Sequence, residues 1–276
     1  MRVLVVGGSG FLGGELVRHC SAAGHEVGAT YLTKPGGSSG VEWLALDVRS
    51  RAAVAEVFEG FRPEVTVNAA YRQADWASTA DGAAYVALGV SRVGGRLVHV
   101  SSDAVFSGAV ASYDERSVPD PITPYGAAKA AAETAVRAVV PDAVVARTSL
   151  IVGNGESVHE SFVHALATGR RDGVLFTDDV RCPVHVADLA AALLEAAVRG
   201  LSGILHVAGA DALSRYDLGT LIARRDGLDA SRLPTGRRAD TDLPGPLDVR
   251  LNCTATQQRL QTRLRGAREF LTPPDP

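Results

Sequence analysis

The sequence predicts an α/β protein, a doubly wound parallel sheet followed by a smaller C-terminal lobe. Three observations predict it. Val3 to Val6 form an apolar, β-branched run that leads directly into glycines at Gly7, Gly10 and Gly13, and then into apolar residues at helical spacing. Strand-like and helix-like stretches alternate through residues 1–150, the pattern of repeated βαβ units. Polar residues fall just beyond the strand-like runs, on the edge where open parallel sheets bind ligands.

Val3–Val6 reads as a strand buried on both faces, because the run is unbroken and does not alternate. Phe11, Leu12, Leu16 and Val17 then mark a helix from about Phe11 to Ala22, ending near Gly24. His25 to Tyr31 and Val41 to Leu46 are the second and third strands. Ala52 to Phe61 is a helix closed off by Pro63. Val65 to Ala70 holds the fourth strand and the turn after it. A helix from Ala83 to Val93 ends at Gly94-Gly95, and Arg96 to Val100 is the fifth strand, with Ser101, Ser102 and Asp103 just past its end. Residues 107–124 form a loop. A helix starts at Pro124, where proline suits a first turn, and carries Tyr125, Lys129, Glu133 and Val136. Ala143 to Thr148 is the sixth strand. The alternation then loosens into helices at 161–167, 186–198, 216–225 and 252–260, strands at 174–176 and 204–207, and an arginine-rich stretch at 232–250 broken by Pro234, Pro244 and Pro246. Residues 1–150 are expected to form a Rossmann domain. Residues 151–276 are expected to form mostly a substrate-binding lobe, with segments returning to that domain. Gly36 to Gly40 reads as a mobile loop.

Composition narrows the function. A chain of 276 residues, 46% hydrophobic and 21% charged, can bury a large core. A net charge of −3 gives no reason to expect nucleic acid or an anionic membrane as partner. No apolar run approaches the ~18 residues of a membrane span, and a core strand at the very start leaves no signal peptide. Cys20, Cys182 and Cys253 are odd in number and widely spaced, which argues against a disulfide framework and fits a cytoplasmic protein. A homodimer stays open.

Strand, glycine turn and helix in that order suit a pyrophosphate, which needs bare backbone N–H groups at a helix start and no side chains in the way; the competing reading is a tight turn that is merely glycine-rich. Candidate cofactor contacts are Gly7, Ser9, Gly10, Phe11, Leu12 and Gly13 here, with Thr30 and Lys34 at the end of the second strand. A carboxylate about 20 residues after the glycines would hold the ribose 2′-hydroxyl of NADH. Ala29-Thr30-Tyr31-Leu32-Thr33-Lys34 offers none, so NADPH is expected over NADH. Lys34 reads either as a partner of the 2′-phosphate or as a solvated loop charge.

Tyr125 and Lys129 are four apart on a helix and share a face. A tyrosine with a pKa of about 10 is a weak acid–base at neutral pH, and a nearby ammonium is expected to lower it. Of 28 basic residues, only Lys34 and Lys129 are lysines, so this one stands where arginine would not serve. The competing reading is a surface tyrosine–lysine pair. Ser102 follows the fifth strand on the ligand edge, where its hydroxyl can donate to a substrate carbonyl while Tyr125 delivers a proton. A serine nucleophile is disfavoured, since Ser102 lies in Val100-Ser-Ser-Asp-Ala and not in Gly-x-Ser-x-Gly. His99, His159, His164, His185 and His206 show no metal-binding spacing; they read as core or surface histidines, and no metal is expected.

With these parts in place the sequence resembles the extended short-chain dehydrogenase/reductases, and within them the dTDP-4-dehydrorhamnose reductase group. The matching stretches are Gly7-Gly-Ser-Gly-Phe-Leu-Gly13, Leu46-Asp-Val48, Pro63 to Tyr71, Val98 to Gly108, Pro124-Tyr-Gly-Ala-Ala-Lys129, Arg147-Thr-Ser149 and Cys182 to Ala190. The resemblance implies an NADP-binding Rossmann domain with catalytic Ser102, Tyr125 and Lys129, Ser102 replacing the usual threonine. It places Gly7, Gly10 and Gly13 on the pyrophosphate, Asp47 and Val48 beside adenine, and Ala69 and Ala70 by the inner half of the cofactor. The implied reaction is reduction of the 4-keto carbon of a nucleotide-linked deoxysugar, with hydride from NADPH and a proton from Tyr125. The same family includes a regulatory partner of methionine adenosyltransferase and epimerases, which are the alternative functions. Two departures lie in the implied sugar pocket: Leu150 replaces a frequent tryptophan, and Gly245-Pro-Leu-Asp-Val-Arg250 begins with glycine in place of arginine.

Overall fold

The structure, a computed structural model, describes residues 1–272. Seven parallel strands make the central sheet: β1 (Arg2–Val6), β2 (Glu26–Tyr31), β3 (Glu42–Ala45), β4 (Val65–Asn68), β5 (Arg96–Ser102), β6 (Val144–Thr148) and β7 (Gly203–His206). Their order is β7-β6-β5-β4-β1-β2-β3. The chain therefore winds outward in one direction through β3 and resumes on the other side of β1 at β4. That reversal opens a crevice at the carboxyl ends of β1 and β4.

The sheet is held between two helical layers, and β1 shows why its sequence is apolar throughout. Side chains alternate along a strand. Val3 and Val5 meet α1 (Phe11–Ala22) and α6 (Val186–Val198), through Leu16, Val17, Leu189 and Leu193. Leu4 and Val6 meet the opposite layer, α2 (Arg51–Phe61), α3 (Gly82–Val93) and α4 (Pro124–Val139), through Phe58, Val86, Val90 and Val136. Both α6 and β7 come from beyond residue 150 and are built into these layers. The rest of the C-terminal half packs around its own core of Val152, Val163, Leu166, Leu213, Leu218 and Ile222, from α5 (Val158–Ala167), α7 (Arg215–Arg225) and short strands.

The expected elements are present, with local differences. A π-helical turn, Ala77–Asp81, precedes α3. β5 extends to Ser102, so Ser101 and Ser102 belong to the strand and Asp103 opens a single 3-10 turn. α5 begins three residues earlier than its apolar spacing indicates, because Ser157 and Glu160 form a capping box. The last expected helix is trimmed to Thr254–Arg259. The 107–124 loop is anchored by Ser112–Tyr113 pairing with Arg250–Leu251. The 36–40 loop, expected to be mobile, packs on Trp43, whose indole N–H donates to the Ser38 carbonyl at 3.3 Å. No helix among the described residues is long and apolar enough to cross a membrane.

Leu193 is fully buried between α6 and the sheet. Leu193→Ala is expected to destabilise the whole sheet by about 2–5 kcal/mol. Urea unfolding followed by circular dichroism checks this, and a loss confined to a separate minor transition would contradict the placement of α6.

Candidate active site

The cleft at the switch point has a volume of about 860 Å³. Its inner end is the glycine turn. Gly7 has φ +83°, and its N–H donates to the Thr30 hydroxyl at 2.9 Å. A Cβ on Gly13 would lie 2.0 Å from the Gly7 carbonyl, so only glycine lets α1 approach β1 this closely. α1 starts at Gly10 with no side-chain cap, leaving its first backbone N–H groups facing the cleft. Gly7, Ser9, Gly10, Phe11, Leu12 and Gly13 line the cleft, as do Thr30, Asp47, Val48, Ala69 and Ala70. Asp47 is engaged by Arg49, whose Nη2 donates at 2.7 Å, and that bond foremost holds its pKa below the usual carboxylate value.

Thr30 lines the cleft while its hydroxyl accepts from the Gly7 N–H. One expected cofactor contact differs. Lys34 is exposed and outside the cleft lining, on a chain segment that leaves the sheet after Tyr31. The cation that does line this part of the cleft is Arg72, which sequence reasoning missed.

The catalytic candidates converge on the opposite wall. Thr123 caps α4 by accepting from the Gly126 N–H at 3.1 Å, with Pro124 at the first helical position. A Cβ on Gly126 would stand 2.0 Å from the Ala104 carbonyl, so this glycine is what allows the start of α4 to press against the 3-10 turn after β5. The approach sets Tyr125 beside Ser102 in the cleft lining. Ser102 Oγ accepts from the Ala104 N–H and donates to Asp103 Oδ1, each at 3.2 Å. Lys129, 2% exposed, donates from Nζ to the Val100 carbonyl at 2.9 Å and lies 4.9 Å from the centroid of the Tyr71 ring.

The proton affinities differ from the expectation in one respect. Burial, followed by Tyr71, raises the pKa of Tyr125 above the ordinary phenol value, and the Ser102 hydrogen bond opposes this. Burial therefore outweighs the lowering expected from the ammonium, and the phenol is held as the neutral acid. Burial lowers the Lys129 pKa to about 8, with the Glu133 carboxylate opposing.

The C-terminal half supplies the outer wall, including Leu150, Pro244, Gly245 and Pro246. It also supplies a cation cluster. Fully buried Asp179 lies 2.8 Å from Arg181 Nη1, 2.9 Å from Arg238 Nη2 and 3.4 Å from Arg215 Nε. Arg215, Arg238 and His159 border both the cleft and an adjoining cavity of about 220 Å³, walled by Phe162, Leu175, Phe176, Leu218 and Ile222. His99 and His206 lie in the core as expected, whereas His159 faces the cleft. In a chain where nearly every basic residue is arginine, no local signal marked these three.

The RmlD substrate binding domain model matches residues 1–273. The dTDP-4-dehydrorhamnose reductase of Mycolicibacterium smegmatis is 32% identical over 98% of this chain and 84% of its own length. Methionine adenosyltransferase 2 subunit beta of Xenopus laevis is 29% identical over 99% of this chain and 87% of its own. Among solved structures, a dTDP-4-dehydrorhamnose reductase from Bacillus anthracis in complex with NADP superposes with a TM-score of 0.85 over 98% of this chain and 96% of that one, at 22% identity.

The glycine turn yields a direct expectation. Gly13→Ala, which forces α1 and the turn apart, should weaken NADPH binding at least about tenfold, the scale of one lost hydrogen bond to a charged group. Fluorescence titration measures it, and unchanged affinity would contradict the role of the turn.

Proposed function

The chain belongs to the RmlD substrate binding domain family, and from that premise we propose that it is an NADPH-dependent reductase of a nucleotide-linked 4-keto-6-deoxyhexose, with Tyr125 as proton donor. The observation that carries this reading is the convergence of Tyr125, Lys129 and Ser102 on the wall facing the glycine turn. The residues present fit the cofactor: a Cβ at Gly7 or Gly13 would collide with backbone and push the turn out of shape, and the uncapped start of α1 offers N–H donors to a pyrophosphate. Gly7, Gly10 and Gly13 would hold that group, Asp47 and Val48 the adenine end, Ala69 and Ala70 the inner half, and Lys129 the nicotinamide ribose. When bound, NADPH supplies the hydride.

The side chains of this protein do the rest. Tyr125, kept neutral by burial, donates its proton to the oxygen that becomes the alcohol. The Lys129 ammonium stabilises the phenolate left behind. Ser102, which lines the cleft with Tyr125, donates to the same carbonyl oxygen. Arg238 and Arg215 suit a diphosphate, and the apolar cavity beside them suits a base. Preference for the phosphorylated cofactor is supported by the lack of a carboxylate at the end of β2, and no longer by Lys34.

The likeness to methionine adenosyltransferase 2 subunit beta supports a second reading, a non-catalytic binding subunit. The complete Ser–Tyr–Lys set weighs against it, because a binding module has no need of a proton donor. NADPH oxidation with a panel of dTDP-4-keto sugars separates the two. An epimerase would be recognised by NAD retained through purification.

Tyr125→Phe should lower kcat by about 10²–10⁴ with the Kd for NADPH unchanged, and retained turnover would refute the assignment. Arg238→Ala should raise KM for the nucleotide sugar about tenfold or more, while KM for NADPH stays constant; steady-state kinetics with each substrate varied in turn tests this.

A further inference from the structure

Behind the proton donor lies a buried polar set that the reaction does not consume. Glu133 stands one turn beyond Lys129 and two beyond Tyr125 on the buried face of α4. Its carboxylate accepts from Ser101 Oγ at 2.5 Å, from Arg147 Nε at 3.0 Å and from Arg147 Nη2 at 2.8 Å. Arg147, the partner of Ser101 in the β5–β6 register, also donates to the Ser117 carbonyl at 3.0 Å and lies 5.0 Å from the centroid of the Phe106 ring. Two consecutive residues of β5 thus bond successive turns of α4: the Val100 carbonyl to Lys129, and Ser101 to Glu133.

Stability alone does not call for an ion pair here, since apolar side chains of similar volume often replace a buried pair without loss. What they could not supply is a negative charge one turn from Lys129. We propose that Glu133 is a positioning residue for the proton transfer: clamped by Ser101 and Arg147, its carboxylate sets the height of α4 against β5 and supplies the counter-charge to the Lys129 ammonium. This rests on the reading that Tyr125 and Lys129 carry the proton chemistry.

The surroundings leave that task to Glu133. His99, on β5, is neutral, its pKa lowered to about 3 by burial and then by Lys129 itself. Tyr71 and Tyr125 are phenols, and Arg147 is a cation. Asp81 and Arg92, before and on α3, are exposed, while Tyr85 packs among apolar residues. Glu115, in the loop before α4, is bonded to Thr256. Asp103 is buried but engaged by Ser102, Ser149 at 2.6 Å and Arg181 at 3.7 Å. Glu133 is the carboxylate that opposes the effect of burial on Lys129.

Lys34 and Lys129 are the only lysines, and Lys34 is exposed, so lysine-selective isotope labelling resolves the buried ammonium by NMR. In the wild-type chain its midpoint is expected near 8. Glu133→Gln should move that midpoint down by about one pH unit, and the high-pH fall of kcat should move with it, since the ammonium is the active form. Glu133→Asp should keep the midpoint and lower kcat, and Ser101→Ala should lower kcat several-fold with the Kd for NADPH unchanged. A midpoint unmoved in Glu133→Gln overturns the proposal. Should that variant not fold, a midpoint that drops in Glu133→Asp, where the charge is kept, overturns it equally. A wild-type chain that reduces no keto sugar while the midpoints shift as stated would count against the reductase reading alone.

Discussion

A buried ammonium is the placement on which the catalytic half of this molecule depends. Lys129 is 2% exposed, and an ion removed from water to that depth costs several kcal/mol unless its surroundings replace the solvent. They do so with a carbonyl, an aromatic face and a carboxylate: Val100 at 2.9 Å, Tyr71 at 4.9 Å and Glu133 one turn away. The residual penalty is visible in a pKa lowered to about 8, still high enough for the group to be charged at neutral pH. An arginine would be bulkier and present a planar fork where a point charge is needed. The glycine at 126 serves the same end, because it lets α4 close on the 3-10 turn after β5 and so sets the depth at which Lys129 sits.

The cleft divides its labour between two parts of the chain. The sheet edge provides an open glycine turn and the proton chemistry, both of which follow from where β1 and β5 end. The C-terminal half provides cations and an apolar wall. The two meet at Asp103, which bonds Ser102 on one side and Ser149 on the other, with Arg181 nearby.

Much of this was legible in the sequence, and the parts that were not share a physical reason. Val3–Val6, the Gly7–Gly13 spacing and the four-residue step from Tyr125 to Lys129 are local patterns, and the sheet, the turn and the shared helical face follow from them. The support that the Thr30 hydroxyl gives the glycine turn, by accepting from Gly7 23 residues away, had no local signal. Lys34 lies only four residues further, yet the chain leaves the sheet in between. The Asp179 cluster joins residues 59 apart in the case of Arg238, and in so arginine-rich a chain nothing local distinguishes those that line a cleft. The two-residue strands of the C-terminal half are too short to show a period. The proton affinity of Tyr125 also needed the fold: spacing revealed the nearby cation, whereas burial determined the sign of the shift.

The central claim is that this cleft delivers a hydride to a sugar carbonyl opposite Tyr125. Its most direct test is to supply NADPH carrying deuterium at the transferable position, together with a dTDP-4-keto-6-deoxyhexose, and to locate the label by NMR and mass spectrometry. The account predicts one deuterium on carbon 4 of the product sugar, in a single configuration. Consumption of neither compound, or a product without deuterium at that carbon, would contradict it.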